Sequence, residues 1–321
     1  MSLDIAAPAA RRPFARTGRL LLEIWHDRSA AFGLSVIVVI LFCAVFAPWV
    51  APYDPGAQDL GARLVPPFWL ERGSLAHILG TDHLGRDILS RIIHGSRASL
   101  LVAASVVLIA GTFGTIMGLW AGFRGGRTDS VIMRIVDIQV ALPALLLILL
   151  VISVVGPGIA TMIVVLSIAN WMVYARLVRS IVLSVRQLEY IEAAEMIGCR
   201  PGRVVFSHLL PNLISPLLTL AILEFTNIIL AEAALSFLGL GVQPPATSWG
   251  LDVANGKDYL FVAWWLVTFP GLCISITVIA INLLANWVRV TTDPQEREKR
   301  YARHRAGRRR QAARQPVGGQ Q

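Results

Sequence analysis

Six stretches of this 321-residue chain stay apolar for about 20 residues each, the length an α-helix needs to cross the hydrocarbon of a bilayer. They run over 31–50, 99–122, 138–156, 158–176, 212–233 and 263–286. Inside a bilayer every backbone N–H and C=O must be satisfied without water, so such stretches fold as helices. The expected fold class is an all-α integral membrane protein with six transmembrane helices. With 55% hydrophobic and 15% charged residues, the chain has too little polar surface for a soluble globule. The third and fourth stretches are split only by Gly156-Pro157-Gly158, which predicts a tight hairpin.

Basic residues set the orientation. With a cytoplasmic N-terminus, six crossings return the C-terminus to the cytoplasm, and 23 of the 29 Lys and Arg fall inside. The six outside are Arg63, Arg72, Arg86, Arg91, Arg97 and Lys257. This is the bias of the positive-inside rule, and it accounts for the net charge of +9. The basic run from Arg297 to Arg314 reads as a tail meeting anionic lipid or water, not as a nucleic-acid arm. Arg11, Arg12 and Arg16 precede an apolar run too extended for a cleaved signal peptide, so an uncleaved anchor is expected. Trp25 at one end of the first span, and Trp49 with Tyr53 at the other, suit interfacial aromatic belts. Cys43, Cys199 and Cys273 suggest neither a disulfide nor a metal site.

Between the fourth and fifth stretches lies a semi-polar insert, YIEAAEMIGCRPGRVVFSHLLPN, from Tyr190 to Asn212. Glu192, Ala193, Ala194, Glu195 and Met196 are good helix formers, and Gly198 can take the left-handed position that ends a helix. Pro201 suits the first turn of a second helix, and Pro211 should stop that helix or open the next. Helical spacing puts Tyr190, Ala194 and Ile197 on one face and Glu192 and Glu195 on another. An amphipathic helix pair held in a loop, with its carboxylates outward, offers a docking surface for a soluble partner.

Glu192-Ala193-Ala194, then Gly198, then His208-Leu209-Leu210-Pro211-Asn212 resembles the EAA loop of permease subunits in binding-protein-dependent ABC importers. A bare Glu-Ala-Ala triplet would be an ordinary surface loop; the glycine and the Leu-Pro at these spacings make the match specific. Further matches point to the dipeptide/oligopeptide/nickel branch. They are Ala51-Pro52-Tyr53-Asp54-Pro55, Gly80-Thr81-Asp82 with Gly85-Arg86-Asp87 and Ser90-Arg91, Trp171 to Arg176, and Glu232 to Gly241 with Pro244-Pro245 and Ser248-Trp249-Gly250. They cover roughly residues 25 to 294 in the family's order. One departure stands at the end: Ala285 to Val290 precedes Asp293-Pro294 where the family usually has an Asp-rich stretch.

The resemblance implies a coupling helix that fits a cleft on a cytoplasmic ATPase, with Glu192, Ala193, Ala194, Gly198, Leu210 and Pro211 as coupling residues. It also implies a second homologous permease, two ATPase subunits and a periplasmic solute-binding protein as partners, in the bacterial inner membrane. The implied solute is a di- or oligopeptide, with nickel chelates, glutathione or another small solute as alternatives. The expected layout is a cytoplasmic N-terminal tail (1–30), a first span with its periplasmic loop (31–98), a five-helix core (99–288) containing the coupling loop (184–212), and a basic cytoplasmic tail (289–321).

Other residues carry local expectations. Gly80–Ser99 should form a periplasmic interfacial helix in which Asp87 and Arg91 pair across one turn; it would either make structural salt bridges or meet a binding protein. His77, His83 and His94 lack ligand-like spacing. Gly114, Gly118 and Gly122 form a small-residue ridge for close helix packing. Pro143 and Pro270 should kink or end helices, and Arg134 should pair with Asp137. Glu224, with Asn227 a turn on, is a costly intramembrane carboxylate. It either lines a solute path for a cationic group such as a peptide amine, or bonds another helix.

Motor chemistry is missing. The nearest approach to a phosphate-binding loop, Gly250 to Lys257, has one residue too many and ends in Asp258. No catalytic constellation, cofactor motif or metal cluster stands out, so ATP hydrolysis is expected on separate subunits. A stand-alone channel or secondary transporter would predict internal repeats and broken helices at matched positions, and would leave the coupling loop without a purpose.

Overall fold

The computed structural model describes residues 27–292. Helix α1 spans Arg28–Val45, opened by the Asp27 carboxylate accepting from the Ser29 and Ala30 amides. A one-turn helix over Ala47–Val50 and a 3₁₀ turn over Leu60–Ala62 lead to α2, Ile88–Arg124, the longest helix. Then come α3 (Gly126–Ala141), α4 (Ala144–Val155), α5 (Ile159–Arg186) and the short α6 (Glu189–Met196). One α-turn over Pro201–Val204 and a π-turn over Val205–Leu209 run without a break into α7, Leu210–Phe237. The described residues end with α8 (Trp249–Gly256) and α9 (Trp265–Thr292).

Among the described residues, five helices are individually long and apolar enough to cross a membrane: α1, α2, α5, α7 with its lead-in turns, and α9. A sixth candidate crossing is α3 and α4 counted together, bent by 88° at their break. Pro143 explains the bend, since its ring holds Leu142 extended (φ −89°, ψ 132°) and it has no N–H to continue the ladder. The third span is therefore no single helix over 138–156. Its first arm begins at Gly126 and lies at a steep angle to its second.

The largest buried cluster joins several helices. Val102, Ala103 and Val106 of α2 meet Met162, Val165 and Leu166 of α5, Ile148 and Ile152 of α4, and Ile228 and Ile229 of α7. The tightest seam joins α2 to α5. A Cβ at Gly118 would stand 2.5 Å from the Ala175 carbonyl oxygen, and one at Gly122 2.9 Å from the Val182 Cβ. Gly114 is closer still, against the Trp171 carbonyl. The glycine ridge is thus a helix–helix contact, as its spacing predicts.

Two expectations for the outer loop are corrected. Gly80–Ser99 is not one interfacial helix: 80–87 is a loop closed by a bridge between Thr81 and Asp87, and α2 starts at Ile88. Asp87 does not pair with Arg91. It sits at the N-cap, accepting from the Ser90 amide at 2.8 Å and from the Ser90 hydroxyl at 2.8 Å, and meets His77 Nδ1 at 3.0 Å. A residue outside the helix cannot make the i,i+4 pair that its spacing suggests. Arg134 and Asp137 do not pair either; Asp137 accepts from Arg176 Nη2 of α5 at 2.7 Å.

Candidate functional site

The loop between α5 and α7 is built on an apolar footing. Ile191, Val204 and Leu209 are buried against Val178, Val182 and Val185 of α5 and Leu213 of α7. The packing side of α6 is therefore set by Ile191. Tyr190 and Ile197, which helical spacing puts on one face with half-buried Ala194, are exposed. Glu192 and Ala193 are also exposed, as is Gly198.

Gly198 has φ +80°, and the Cys199 amide donates to the Ala194 carbonyl at 3.0 Å. This is the left-handed ending that a Gly at this offset predicts, with the amide two residues past the cap reaching back into the last turn. It leaves Met196 and Ile197, 87% and 84% exposed, at the tip of the loop. A short helix with two bare aliphatics and a carboxylate on its outer side can enter an apolar cleft in another protein.

Pro211 stands in the first turn of α7, one of the two places its chemistry suggested. It follows the π-turn, in which the Leu210 amide reaches the Val205 carbonyl. The wider turn gives room for the ring where it would otherwise crowd the carbonyl four residues back. Pro211 itself is exposed and Leu210 half-buried, lining an open groove with Phe206. Asn212 Nδ2 donates to the His208 carbonyl at 2.7 Å and lies 3.3 Å from the Tyr190 hydroxyl, tying the end of the loop to its beginning.

At the opposite end of the helices, a buried polar network holds α8 in place. Arg91 of α2 donates through Nε to Asp252 Oδ1 at 2.9 Å and also through Nη2, while Thr247 Oγ1 bonds the same carboxylate at 3.1 Å. Arg86 Nε meets Asp82 Oδ2 at 2.6 Å. All four charged residues are buried. Of the two readings for this motif, the geometry supports internal salt bridges over a surface for another protein. Burial pushes the Asp252 carboxyl above its ordinary range, and the Arg91 guanidinium pulls against it. Beside this network Glu232, fully buried, accepts from Ser99 at 3.0 Å and Ser236 at 2.7 Å. The sequence marks Asp252 only as a lone acid after Ser248-Trp249-Gly250, and its partner lies 161 residues away.

Glu224 lies on α7 and is 8% exposed. Asn227 Nδ2 approaches its Oε1 at 3.4 Å, a long bond. Across from this helix the Tyr174 hydroxyl and the Thr226 hydroxyl of α7 itself are buried without a hydrogen-bond partner among the described residues. Neither orphan can be read from sequence, because each depends on which helix faces which. Among the described residues no three His, Cys, Asp or Glu converge as metal ligands.

Comparison with known proteins gives this architecture its family. The model of the binding-protein-dependent transport system inner membrane component matches residues 114–298, and that of the N-terminal TM domain of oligopeptide transport permease C matches residues 21–67. The chain is 45% identical over 279 residues to the di/tripeptide transport system permease protein DppC of Pseudomonas aeruginosa (strain UCBPP-PA14), covering 86% of this chain and 92% of that one. It is 43% identical over 295 residues to the dipeptide transport system permease protein DppC of Escherichia coli (strain K12), covering 91% and 96%. The probable D,D-dipeptide transport system permease protein DdpC of the same strain is 40% identical over 260 residues, covering 81% and 85%. The chain therefore belongs to the binding-protein-dependent transport system inner membrane components, the multi-pass permease subunits of ABC importers.

Proposed function

We propose that this permease carries di- or oligopeptides across the inner membrane. In this reading it works beside a second, homologous permease, two cytoplasmic ATPase subunits and a periplasmic solute-binding protein. The observation that carries the solute class is the set of relatives, whose names specify dipeptide or di/tripeptide transport and which align over more than four-fifths of the chain. Nickel chelates, glutathione and other small solutes remain the alternative cargo.

The loop over 184–212 is the coupling element. Its outer side presents Glu192, Ala193, Met196 and Ile197, its inner side is fixed to α5 and α7, and Gly198 makes the turn between them. A rigidly footed lever with an apolar tip transmits motion; a loose loop does not. ATP binding closes the motor dimer, the loop moves with it, and the path opens outward to receive solute from the binding protein. Glu224 and Asn227 line that path. The 1–30 and 289–321 segments are the cytoplasmic tails, flanking a first span with its loop (31–98) and the five-helix core (99–288).

The test is reconstitution with the cognate subunits and binding protein in proteoliposomes. Labelled dipeptide should accumulate with ATP inside the vesicle-equivalent of the cytoplasm. Gly198→Val forces a β-branched residue into a left-handed backbone, at a cost of roughly 1–2 kcal/mol or more. That variant and Glu192→Lys should assemble yet lose most solute-stimulated ATP hydrolysis. Normal stimulation in both variants would remove the coupling assignment.

A further inference from the structure

Between α1 and α2 the chain makes a tight turn over 67–73. The Leu70 amide donates to the Pro67 carbonyl at 2.9 Å, the Gly73 amide to the Leu70 carbonyl at 2.9 Å, and the Phe68 amide to the Ile78 carbonyl at 3.3 Å. Gly73 lets the turn close, since a Cβ there would stand 2.2 Å from the Pro67 carbonyl oxygen. Turn tips in water carry Gly, Asn, Asp or Ser. This one carries Phe68, Trp69 and Leu70, which are 47%, 49% and 37% exposed. Glu71 and Arg72 follow, both exposed, and Arg72 takes a left-handed backbone (φ 68°). Among the described residues the Arg72 guanidinium has no hydrogen-bond or ion-pair partner.

The depth of this turn is set by α9. The Trp69 ring meets Phe269 edge-on with centroids 6.0 Å apart, and Trp264 packs on Phe269 at 5.8 Å. Trp264, 39% exposed, extends the apolar surface. Trp265 Nε1 donates to the Thr81 carbonyl at 3.2 Å, a second tie between this loop and α9. Phe269 precedes Arg289, the basic residue in the last turn of α9, by 20 positions (289 − 269). At 1.5 Å per residue that separation is about 30 Å, the thickness of the hydrocarbon layer. Arg289 at the inner boundary therefore puts Trp69 at the outer one, and a tilt of about 20° shortens the distance by only about 2 Å.

That level decides what covers the turn. Bulk water would leave three large apolar side chains hydrated, and a soluble protein docks above the headgroups, not beside the first turns of α9. The headgroup boundary suits every group present. Indole rings concentrate there, Phe and Leu reach the upper acyl chains, and a guanidinium pairs with phosphate oxygens.

We propose that the 67–73 turn is a lipid anchor in the outer leaflet, with Phe68, Trp69 and Leu70 seated at the top of the acyl layer and Arg72 on a phospholipid phosphate. The proposal takes the loop after α1 to lie on the periplasmic side, and it holds whatever solute is carried. Such a seat fixes the height of the outer ends of α2 and α9 in the bilayer.

Fluorescence quenching in the assembled complex tests this. The complex is reconstituted in phosphatidylethanolamine and phosphatidylglycerol vesicles containing brominated phosphatidylcholine. The signal of Trp69 is taken as parent minus Trp69→Phe. Bromine near the ester end of the acyl chains should quench that signal several-fold more than bromine near the chain ends, and more than iodide in the water on both sides. Quenching by iodide alone would mean that the turn stands in the periplasm, open to water or a binding protein. No quenching by either would mean that another subunit covers it. Both outcomes overturn the anchor. Arg72→Glu, which repels phosphate, should raise the iodide quenching of Trp69, and quenching unchanged from the parent would strike the phosphate contact. A second measurement does without Trp69→Phe. Leu70→Cys and Gln58→Cys, each in a cysteine-free complex, carry a nitroxide; the label at 70 should relax with oxygen and the label at 58 with a water-soluble nickel chelate. A label at 70 that behaves like the one at 58 overturns the anchor as well.

Discussion

Arg91 and Asp252 show what a single residue contributes here. Breaking a buried pair leaves the survivor charged and desolvated, so Arg91→Ala should cost about 3–5 kcal/mol. The double change Arg91→Met with Asp252→Leu should recover much of that loss, because it leaves no orphan charge. Thermal melting of the purified complex checks this, and a double variant as unstable as the single one would sink the argument. His83 gives a pH-dependent case. Its ring stacks on Tyr259 at 5.3 Å, and its Nδ1 is buried without a partner among the described residues. Burial pushes its imidazole below the ordinary value; Asp82 opposes this, while Arg86, Arg91 and Arg63 reinforce it. The unfolded ring then takes its proton first, so stability is lost as pH falls through about 6.5 toward the folded value. His83→Phe keeps the stack and should flatten the melting temperature between about pH 7 and 5. The sequence supports little of this. It shows that Asp82, Arg86, Asp87 and Arg91 belong together, but i,i+4 spacing assigns the wrong partner to Arg91 because it cannot see the helix start at Ile88.

Elements are more legible than contacts. Gly198 and Pro201 mark their turns in the sequence, and both do what their backbone chemistry requires. Pro143 signals the break in the third crossing, but not that its first arm would begin at Gly126 and be tied to α5 by Asp129–Arg179 and Asp137–Arg176. Those ties are long-range, and local pattern carries no trace of them. The π-turn before Pro211 is invisible for a different reason: it answers a steric clash that exists only if the chain continues as helix through the proline. The glycine ridge on α2 is where element-level reading is sharpest, and it gives a graded test. Gly118→Ala places a methyl 2.5 Å from the Ala175 carbonyl oxygen and 2.8 Å from the Val178 Cβ, neither of them the far end of a flexible side chain that could give way. Its cost should be about 1–3 kcal/mol. Gly111→Ala would meet only the Tyr174 ring, at 3.4 Å, and should be nearly neutral. Similar melting temperatures for the two would mean that α2 and α5 separate more easily than their contact suggests.

At the scale of the whole molecule, the open question is how the bent pair α3–α4 counts, because it decides whether the chain crosses five times or six. Charge distinguishes the two. If the pair turned back to its own side, α5 would run the opposite way. The loop with Arg186, Arg200 and Arg203 would then lie outside, as would the ten Lys and Arg from Arg289 onward. Short loops and flanks that rich in Arg are retained on the cytoplasmic side, so five crossings contradict the positive-inside rule at two places at once. Six crossings satisfy it and put both termini in the cytoplasm. They also place the Arg91–Asp252 network and the loop proposed for coupling at opposite membrane faces, the arrangement that proposal needs. Reporter fusions test the count directly. Fusions at Ala302 and within 56–75 should report opposite compartments, and a third in the 156–158 turn should agree with the one in 56–75. If the third instead reports the compartment opposite to both 56–75 and Ala302, which then agree with each other, α3–α4 is re-entrant, and the loop assigned here to the ATPase cannot reach it.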